Sequence, residues 1–177
     1  MVSAYDELPR TPANFVALSP LRYLDRAAYI YPNQHAIIYG QRRITWRETY
    51  NRCRQFASQL QKLGIGKNDT VSTLLPNIPA MIEAHFAVPM AGAVLNTLNT
   101  RLDAKTLAFM LDHAESKLLL VDSEFSTLAQ EALAQPGYPV MKKIYTPESG
   151  NRFAVFHLED ATAEKRAMMS VLETWNL

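Results

Sequence analysis

The sequence predicts an α/β protein with a doubly wound, mostly parallel sheet, helices on both faces, and a small N-terminal hairpin. Three observations support this fold class. Apolar strand-like runs alternate with helical patterns from residue 70 to residue 134, an order that requires crossovers between parallel strands. The run at 118–121 is continuously apolar, as expected for a strand covered on both faces. Hydrophobic residues make up 48% of the 177 residues, which suffices for one buried core.

The N-terminal third combines an irregular arm, a helix and a hairpin. Residues 1–18 contain prolines and polar residues without a period, so we expect an arm lying over another surface. Ser19 is placed to cap a helix that has Pro20 at its first position and stops before Pro32. Two strand-forming segments around Gly40-Gln41 then predict a hairpin: 36–39 and 42–45.

The central part alternates helices and strands. Thr45 and Glu48 form a capping box that starts a helix with one apolar stripe: Trp46, Tyr50, Cys53, Ala57 and Leu60. A buried strand is predicted at 70–75, after a turn at 64–69. The next helix begins near Pro79, and apolar residues surround it almost completely from 80 to 91. We therefore expect this helix to be packed on most sides.

The pattern weakens toward the C-terminus. Asp103 is placed to cap a helix that leads to a strand at 117–122 and a further helix at 124–134. Beyond Pro136-Gly137 we predict two more strands, a loop and a closing helix: 140–145, 153–158, 146–151 and the region around Met168 to Trp175.

Charge and cysteine content limit the partners and the compartment. Lys and Arg total 18 against 17 Asp and Glu without a basic stripe, which argues against nucleic acid as a partner and favours a small molecule or a protein. The single cysteine, Cys53, suits a reducing compartment and predicts a cytoplasmic location. No apolar run is long enough to span a bilayer, so we expect no membrane span.

The residues alone indicate no active site. The run Gly64-Ile65-Gly66-Lys67 follows a helix and precedes a strand, so helix termination explains it better than a phosphate loop. Cys53 lies on an apolar stripe and is interpreted as a core residue. Asp112, His113 and Glu115 have no serine or cysteine elbow to activate. The histidines lack the spacing of metal ligands: His35, His85, His113 and His157.

His85 stands out because it interrupts an almost wholly apolar helix. A histidine in such a position must find a hydrogen-bond partner or line a cavity. A satisfied structural histidine is the favoured interpretation, and a cavity-lining role is the alternative.

Four segments, taken in order, form a recognisable series: Ile44-Thr45-Trp46, the run from Leu63 to Val71, Leu75-Pro76-Asn77-Ile78-Pro79, and the run from His85 to Leu102. Over about residues 19–133 this series resembles the N-terminal region of AMP-forming acyl-CoA synthetases, the adenylate-forming family. The sequence at 88–99 is most similar to that of the family branch acting on short- and medium-chain fatty acids and related carboxylates.

The resemblance implies a two-step ligase reaction. ATP with Mg²⁺ adenylates a small carboxylic acid and releases pyrophosphate, and the thiol of coenzyme A then displaces AMP. This sequence departs from the family pattern, because it lacks the Ser/Thr/Gly-rich phosphate loop, the Tyr-Gly-x-Thr-Glu segment, the ribose-binding aspartate and the lysine of the C-terminal domain. We therefore expect no catalytic, cofactor-binding or metal-binding residue here, and a fragment that is inactive alone.

The resemblance also organises the chain. Residues 1–18 are the arm, 19–140 an incomplete N-terminal α/β subdomain, and 141–177 a tail that matches the family poorly. In the subdomain, the helix at 80–91 and the turn at 96–102 are expected to form one wall of the ligand cleft. The three candidate residues in this wall are His85, Asn96 and Arg101.

Two other functions stay open. The chain is alternatively a non-catalytic interaction module that pairs, through a sheet edge or its arm, with itself or with a full-length synthetase. A small nucleotide-binding protein of flavodoxin-like architecture ranks last, because it needs glycine-bearing phosphate loops at the carboxyl ends of its strands.

Overall fold

A computed structural model describes residues 9–137, 143–145 and 153–157. A short 3-10 turn at Ser123–Phe125 precedes the fifth helix. In chain order the helices and strands are α1 (Pro20–Ile30), β1 (His35–Tyr39), β2 (Arg42–Thr45), α2 (Trp46–Lys62), β3 (Thr70–Leu74), α3 (Pro79–Met90), β4 (Val94–Thr97), α4 (Ala104–His113), β5 (Ser116–Asp122), α5 (Ser126–Leu133), β6 (Lys143–Tyr145) and β7 (Phe153–His157).

The main sheet has five strands in the order β4-β3-β5-β7-β6. Strand β3 pairs in parallel with β4 and β5, whereas β7 and β6 continue the sheet in antiparallel pairs. One hydrophobic cluster joins the sheet to α1, α2 and α3, and a second joins it to α4 and α5. The predicted doubly wound, mostly parallel sheet is therefore confirmed.

Strand β5 supplies both hydrophobic clusters. Leu118 and Leu120 belong to the first cluster, and Leu119 and Val121 belong to the second. Each of the four side chains is at most 1% exposed. Since successive side chains of a strand point to opposite faces, the continuous apolar run predicted a strand covered twice, and that prediction is confirmed.

The local start signals work as predicted in the N-terminal part. The hydroxyl of Ser19 accepts a hydrogen bond from the backbone N–H of Leu21 at 3.3 Å. Strands β1 and β2 form an antiparallel hairpin, and Gly40 takes a positive φ of 56° in its turn. The Arg43 guanidinium donates to the carbonyl of Gly40 at 2.6 Å. The basic side chain thus braces the turn.

Several predicted elements fall partly outside the described residues. The strands expected at 140–145 and 153–158 are present as β6 and β7, and 140–142, 146–152 and 158–177 are not described. The closing helix lies in the last of these segments. Within the arm, residues 9–18 are exposed throughout. Among the described helices, none combines the length and apolarity needed to cross a bilayer.

One face of α3 is exposed. Ile82, His85 and Pro89 are exposed, Ile82 to 42% of its surface, and their spacing places them on one side of the helix. The sheet, α1 and α2 cover the rest of α3, so the expectation that this helix is packed on most sides is confirmed and the exposed side is the exception.

Candidate functional site

The carboxyl ends of β3, β4 and β5 form the edge at which parallel α/β sheets bind ligands. From β3 the chain crosses to β4 on one side and then returns to β5 on the other side of β3. The strand order thus reverses between β3 and β5, and such a switch point opens a crevice. Geometry favours this edge as the binding region of the described fold.

Asp122 ends β5 at this edge, with a side chain only 1% exposed. Its Oδ1 accepts a hydrogen bond from the N–H of Glu124 at 3.0 Å and caps the short turn that follows. Its Oδ2 is buried and has no hydrogen-bond partner among the described residues. A buried carboxylate oxygen needs a donor, so Oδ2 marks a position at which one is expected. The sequence interpretation used Asp122 only as a strand end.

The three predicted wall residues are not brought into one cluster. Asn96 is partly buried on β4, and its amide donates to the hydroxyl of Ser72 at 2.9 Å. Arg101 is exposed in the turn after β4, and His85 is exposed on α3, where its Nδ1 lies 2.7 Å from the carbonyl oxygen of Met81. Within the described ranges, no hydrogen bond or ion pair joins the three side chains. Their role as a cleft wall stays a prediction.

Asn96 belongs instead to a polar network inside the sheet. The hydroxyls of Ser72 and Ser116 are 2.5 Å apart and fully or almost fully buried. Together with Asn96 they link β3, β5 and β4 across one face. Buried hydroxyls need such partners, so the network explains why polar residues stand in apolar strands.

A buried ion pair between α2 and α3 is the main feature that sequence reasoning missed. The Arg52 guanidinium contacts both carboxylate oxygens of Glu83, with Nε–Oε1 at 2.6 Å and Nη2–Oε2 at 3.2 Å. The Glu83 side chain is fully buried, and that of Arg52 is 14% exposed. Two-point contact of this kind fixes the relative position of the groups. The only sequence signal was an acidic residue inside an apolar helix.

Cys53 lies beside this pair in the core. Its side chain is completely buried, and its thiol donates to the carbonyl of Glu83 at 3.7 Å. Burial, reinforced by the Glu83 carboxylate, raises the pKa of the thiol to about 12, and the nearby Arg52 only partly opposes this. The interpretation of Cys53 as a core residue is confirmed.

We expect Cys53 to react slowly with Ellman's reagent at about pH 8 in the native protein, because only the thiolate attacks. It is the single cysteine, so the signal reports one site, and labelling in urea gives the rate of the unfolded chain. Below the ordinary thiol pKa of 9.0 the thiol is protonated and the fold keeps its full stability. As pH rises from 9.0 toward about 12, the unfolded chain loses this proton before the folded protein does, so the free energy of unfolding falls. Rapid native labelling at about pH 8 would contradict the buried position.

The glycine-bearing turn after α2 is a helix stop. Gly64 takes a positive φ of 78°, as expected after a helix end. The N–H of Gly66 donates to Asp69 Oδ2 at 2.8 Å, and Lys117 Nζ lies 2.9 Å from Asp69 Oδ1. The contact with Lys117 is the larger cause that holds the pKa of Asp69 below its ordinary value, and the hydrogen bond from the Gly66 N–H is the next. An internal carboxylate therefore occupies this turn, and the prediction of helix termination is confirmed.

Comparison with known proteins identifies the family. A family model described as AMP-binding enzyme matches residues 24–168, most of the chain. The chain belongs to this family. It is 55% identical over 128 residues to an acetate/butyrate–CoA ligase, peroxisomal, of Arabidopsis thaliana, and 57% identical over 128 residues to a trans-cinnamate:CoA ligase, peroxisomal, of Petunia hybrida. The resemblance noted in the sequence is confirmed.

This AMP-binding family member corresponds to only part of its relatives. Each of the two matches covers 72% of this chain and 22% of the relative, so the chain spans about a fifth of the length of these ligases. The fold is also similar to O-succinylbenzoate coenzyme A synthetase of Bacillus subtilis in complex with ATP and magnesium ion. That match has a TM-score of 0.57 and 31% identity, and it covers 62% of this chain and 29% of the other.

ATP and Mg²⁺, which the family implies, do not fit the described residues of this AMP-binding family member. The connections after β3, β4 and β5 contain no glycine: 75–78, 98–103 and 123–125. A phosphate cradle needs closely approaching backbone N–H groups, which glycines usually permit. No group of three or more His, Cys, Asp or Glu in the described part could hold a metal ion. No catalytic step is therefore assigned to these residues.

Proposed function

We propose that this chain forms part of the N-terminal scaffold of a ligase that converts a carboxylic acid, ATP and coenzyme A into acyl-CoA, AMP and pyrophosphate. The observation that carries the proposal is the match of 128 residues, at more than half identity, to CoA ligases. Residues 1–177 lack the phosphate-loop motif, and the described carboxyl edge lacks glycines. On this proposal the chain alone performs no adenylation.

The scaffold role is one of support and enclosure. The parallel strands would carry a cleft at their carboxyl edge, and Asn96, Arg101 and His85 would form part of its wall. ATP, Mg²⁺ and coenzyme A would be bound by polypeptide that corresponds to the rest of the relatives. The buried Asp122 Oδ2 supports such a neighbour, because it lacks a donor among the described residues.

The proposed substrates are short- and medium-chain fatty acids and related carboxylates. This choice rests on the sequence at 88–99, and the relatives' names, which state acetate, butyrate and trans-cinnamate, support small carboxylic acids as a class. A cytoplasmic location remains our proposal from the single cysteine, although both relatives are named as peroxisomal.

The first test is ATP–pyrophosphate exchange with the purified chain and fatty acids from butyrate to decanoate. We expect no acid-dependent exchange, because no described loop can hold the phosphates. A competent CoA ligase serves as positive control. Clear exchange that depends on the acid would overturn the assignment of a non-adenylating scaffold.

A chimera tests the ligase assignment itself. The acetate/butyrate–CoA ligase would receive this chain's residues over the matched 128 positions and is expected to keep acid-dependent exchange. The matched control chimera also carries Glu83→Ala and should lose folded protein, because the partly buried Arg52 loses the carboxylate that it contacts. A soluble, folded chimera without exchange would contradict the proposed role.

A second candidate function is an interaction module that pairs with itself or with a family ligase. One observation favours it: among the described strands, none pairs with the outer side of β4 in the main sheet. Unpaired strand edges are ready sites of strand addition.

A further inference from the structure

The outer edge of β4 carries no charged side chain. Strand β4 ends the main sheet, and no described strand pairs with its outer side. The sequence from Ala84 to Thr100 contains no Asp, Glu, Lys or Arg. Charged side chains on an edge strand oppose pairing with another chain, and β4 has none.

The backbone groups that face outward on β4 can be identified. The N–H of Val94 donates to the carbonyl of Asp69, and the N–H of Leu98 donates to that of Thr73, both at 2.8 Å. These two residues therefore face β3. Because the direction of backbone groups alternates along a strand, the N–H and C=O groups of Leu95 and Thr97 point to the open side.

We propose that two copies of this chain pair through antiparallel β4 edges, with the two-fold axis at Asn96. In this register Leu95 of one copy lies opposite Thr97 of the other, and each such pair exchanges two backbone hydrogen bonds. The contact is isologous and joins the two main sheets into one. This proposal rests on the second candidate function, the interaction module. It does not rest on the ligase assignment, which pyrophosphate exchange tests separately.

A second copy is the occupant that the strand's composition favours. The absence of charge from Ala84 to Thr100 means that this segment brings no like charges together when it meets itself. Val94, 51% exposed on the strand, and the partly exposed Leu95 add apolar surface to the contact. The outward groups stand symmetrically on either side of Asn96, as a two-fold axis requires.

Light scattering on the full chain over a wide concentration range tests the proposal. We expect the mass to double from 20.0 kDa as concentration rises, while the amides of Leu95 and Thr97 become protected from hydrogen exchange. Thr97→Pro should weaken dimerisation roughly tenfold or more, since it removes one outward N–H from each copy. The same N–H makes no bond to β3, and proline is tolerated on such an edge.

Val94→Lys adds charge to the edge and should also weaken the dimer, whereas Ile38→Lys on the hairpin should not. Ile38 is also an exposed apolar residue, at 64% against 51% for Val94. Circular dichroism checks that each variant is folded. A monomer at all concentrations, a polydisperse aggregate, or a dimer that neither edge variant weakens would overturn the proposal. Slow exchange of Leu95 and Thr97 in a dilute monomer would also overturn it, because another segment would then cover the edge.

Discussion

Glu83→Ala is expected to destabilise the protein by about 3 kcal/mol, because it leaves the largely buried Arg52 guanidinium without its carboxylate. Glu83 is fully buried, and the Nε–Oε1 distance of 2.6 Å joins α2 to α3 directly. The measurement is urea unfolding followed by far-UV circular dichroism. Protein concentration must be fixed, because association would otherwise shift the apparent stability.

Two further variants separate an unpaired charge from lost packing. Arg52→Met combined with Glu83→Leu removes both charges and should cost clearly less than Glu83→Ala alone. Asp25→Ala breaks the exposed pair with Arg22, whose nitrogen and oxygen are 3.6 Å apart, and should change the free energy of unfolding by about 0.5 kcal/mol or less. If Glu83→Ala cost no more than this control, the pair would not hold α2 against α3.

The helix caps could be predicted because their signals lie within three residues. Thr45 and Glu48 exchange the two hydrogen bonds of a capping box, with Thr45 N–H to Glu48 Oε2 at 2.7 Å. Asp103 Oδ1 accepts from the N–H of Thr106 at 2.9 Å. Strand and helix types followed from apolar periodicity for the same reason, since each depends on neighbouring residues.

The partners of buried polar groups could not be predicted in this way. Glu83 and Arg52 are 31 residues apart, and Ser72 meets Ser116 across 44 residues. Such pairs form only when the strands and helices pack together, so no local sequence pattern predicts them. The buried, unpaired Oδ2 of Asp122 could not be predicted, because a carboxylate at the end of a strand is equally typical of a turn cap.

The position of the exposed face of α3 could not be predicted for a related physical reason. Apolar residues around a helix indicate that cover is needed, but they do not say which segment supplies it. Ile82 is 42% exposed, whereas most residues of the helix are buried or partly buried. The candidate wall stays a prediction, and its residues lie on α3, on β4 and in the turn after β4: His85, Asn96 and Arg101.

Leu120→Ala is expected to cost about 3 kcal/mol, because it leaves a cavity at the centre of the main sheet. Leu120 is 1% exposed, and its strand lies between β3 and β7. Leu119→Ala should cost a similar amount, since Leu119 is buried equally in the cluster with α4 and α5. Urea unfolding of both variants therefore tests whether both faces of the sheet are covered in solution.

The control for this pair is Leu18→Ala, the same chemical change at a side chain that is 84% exposed, with an expected cost of about 0.5 kcal/mol or less. Leu120→Met, which nearly conserves volume, should cost about 1 kcal/mol. A large cost for Leu120→Ala with a small one for Leu119→Ala would contradict cover by α4 and α5. Equal large costs would support two packed faces, since one strand can lose comparable burial on both sides only when helices cover each.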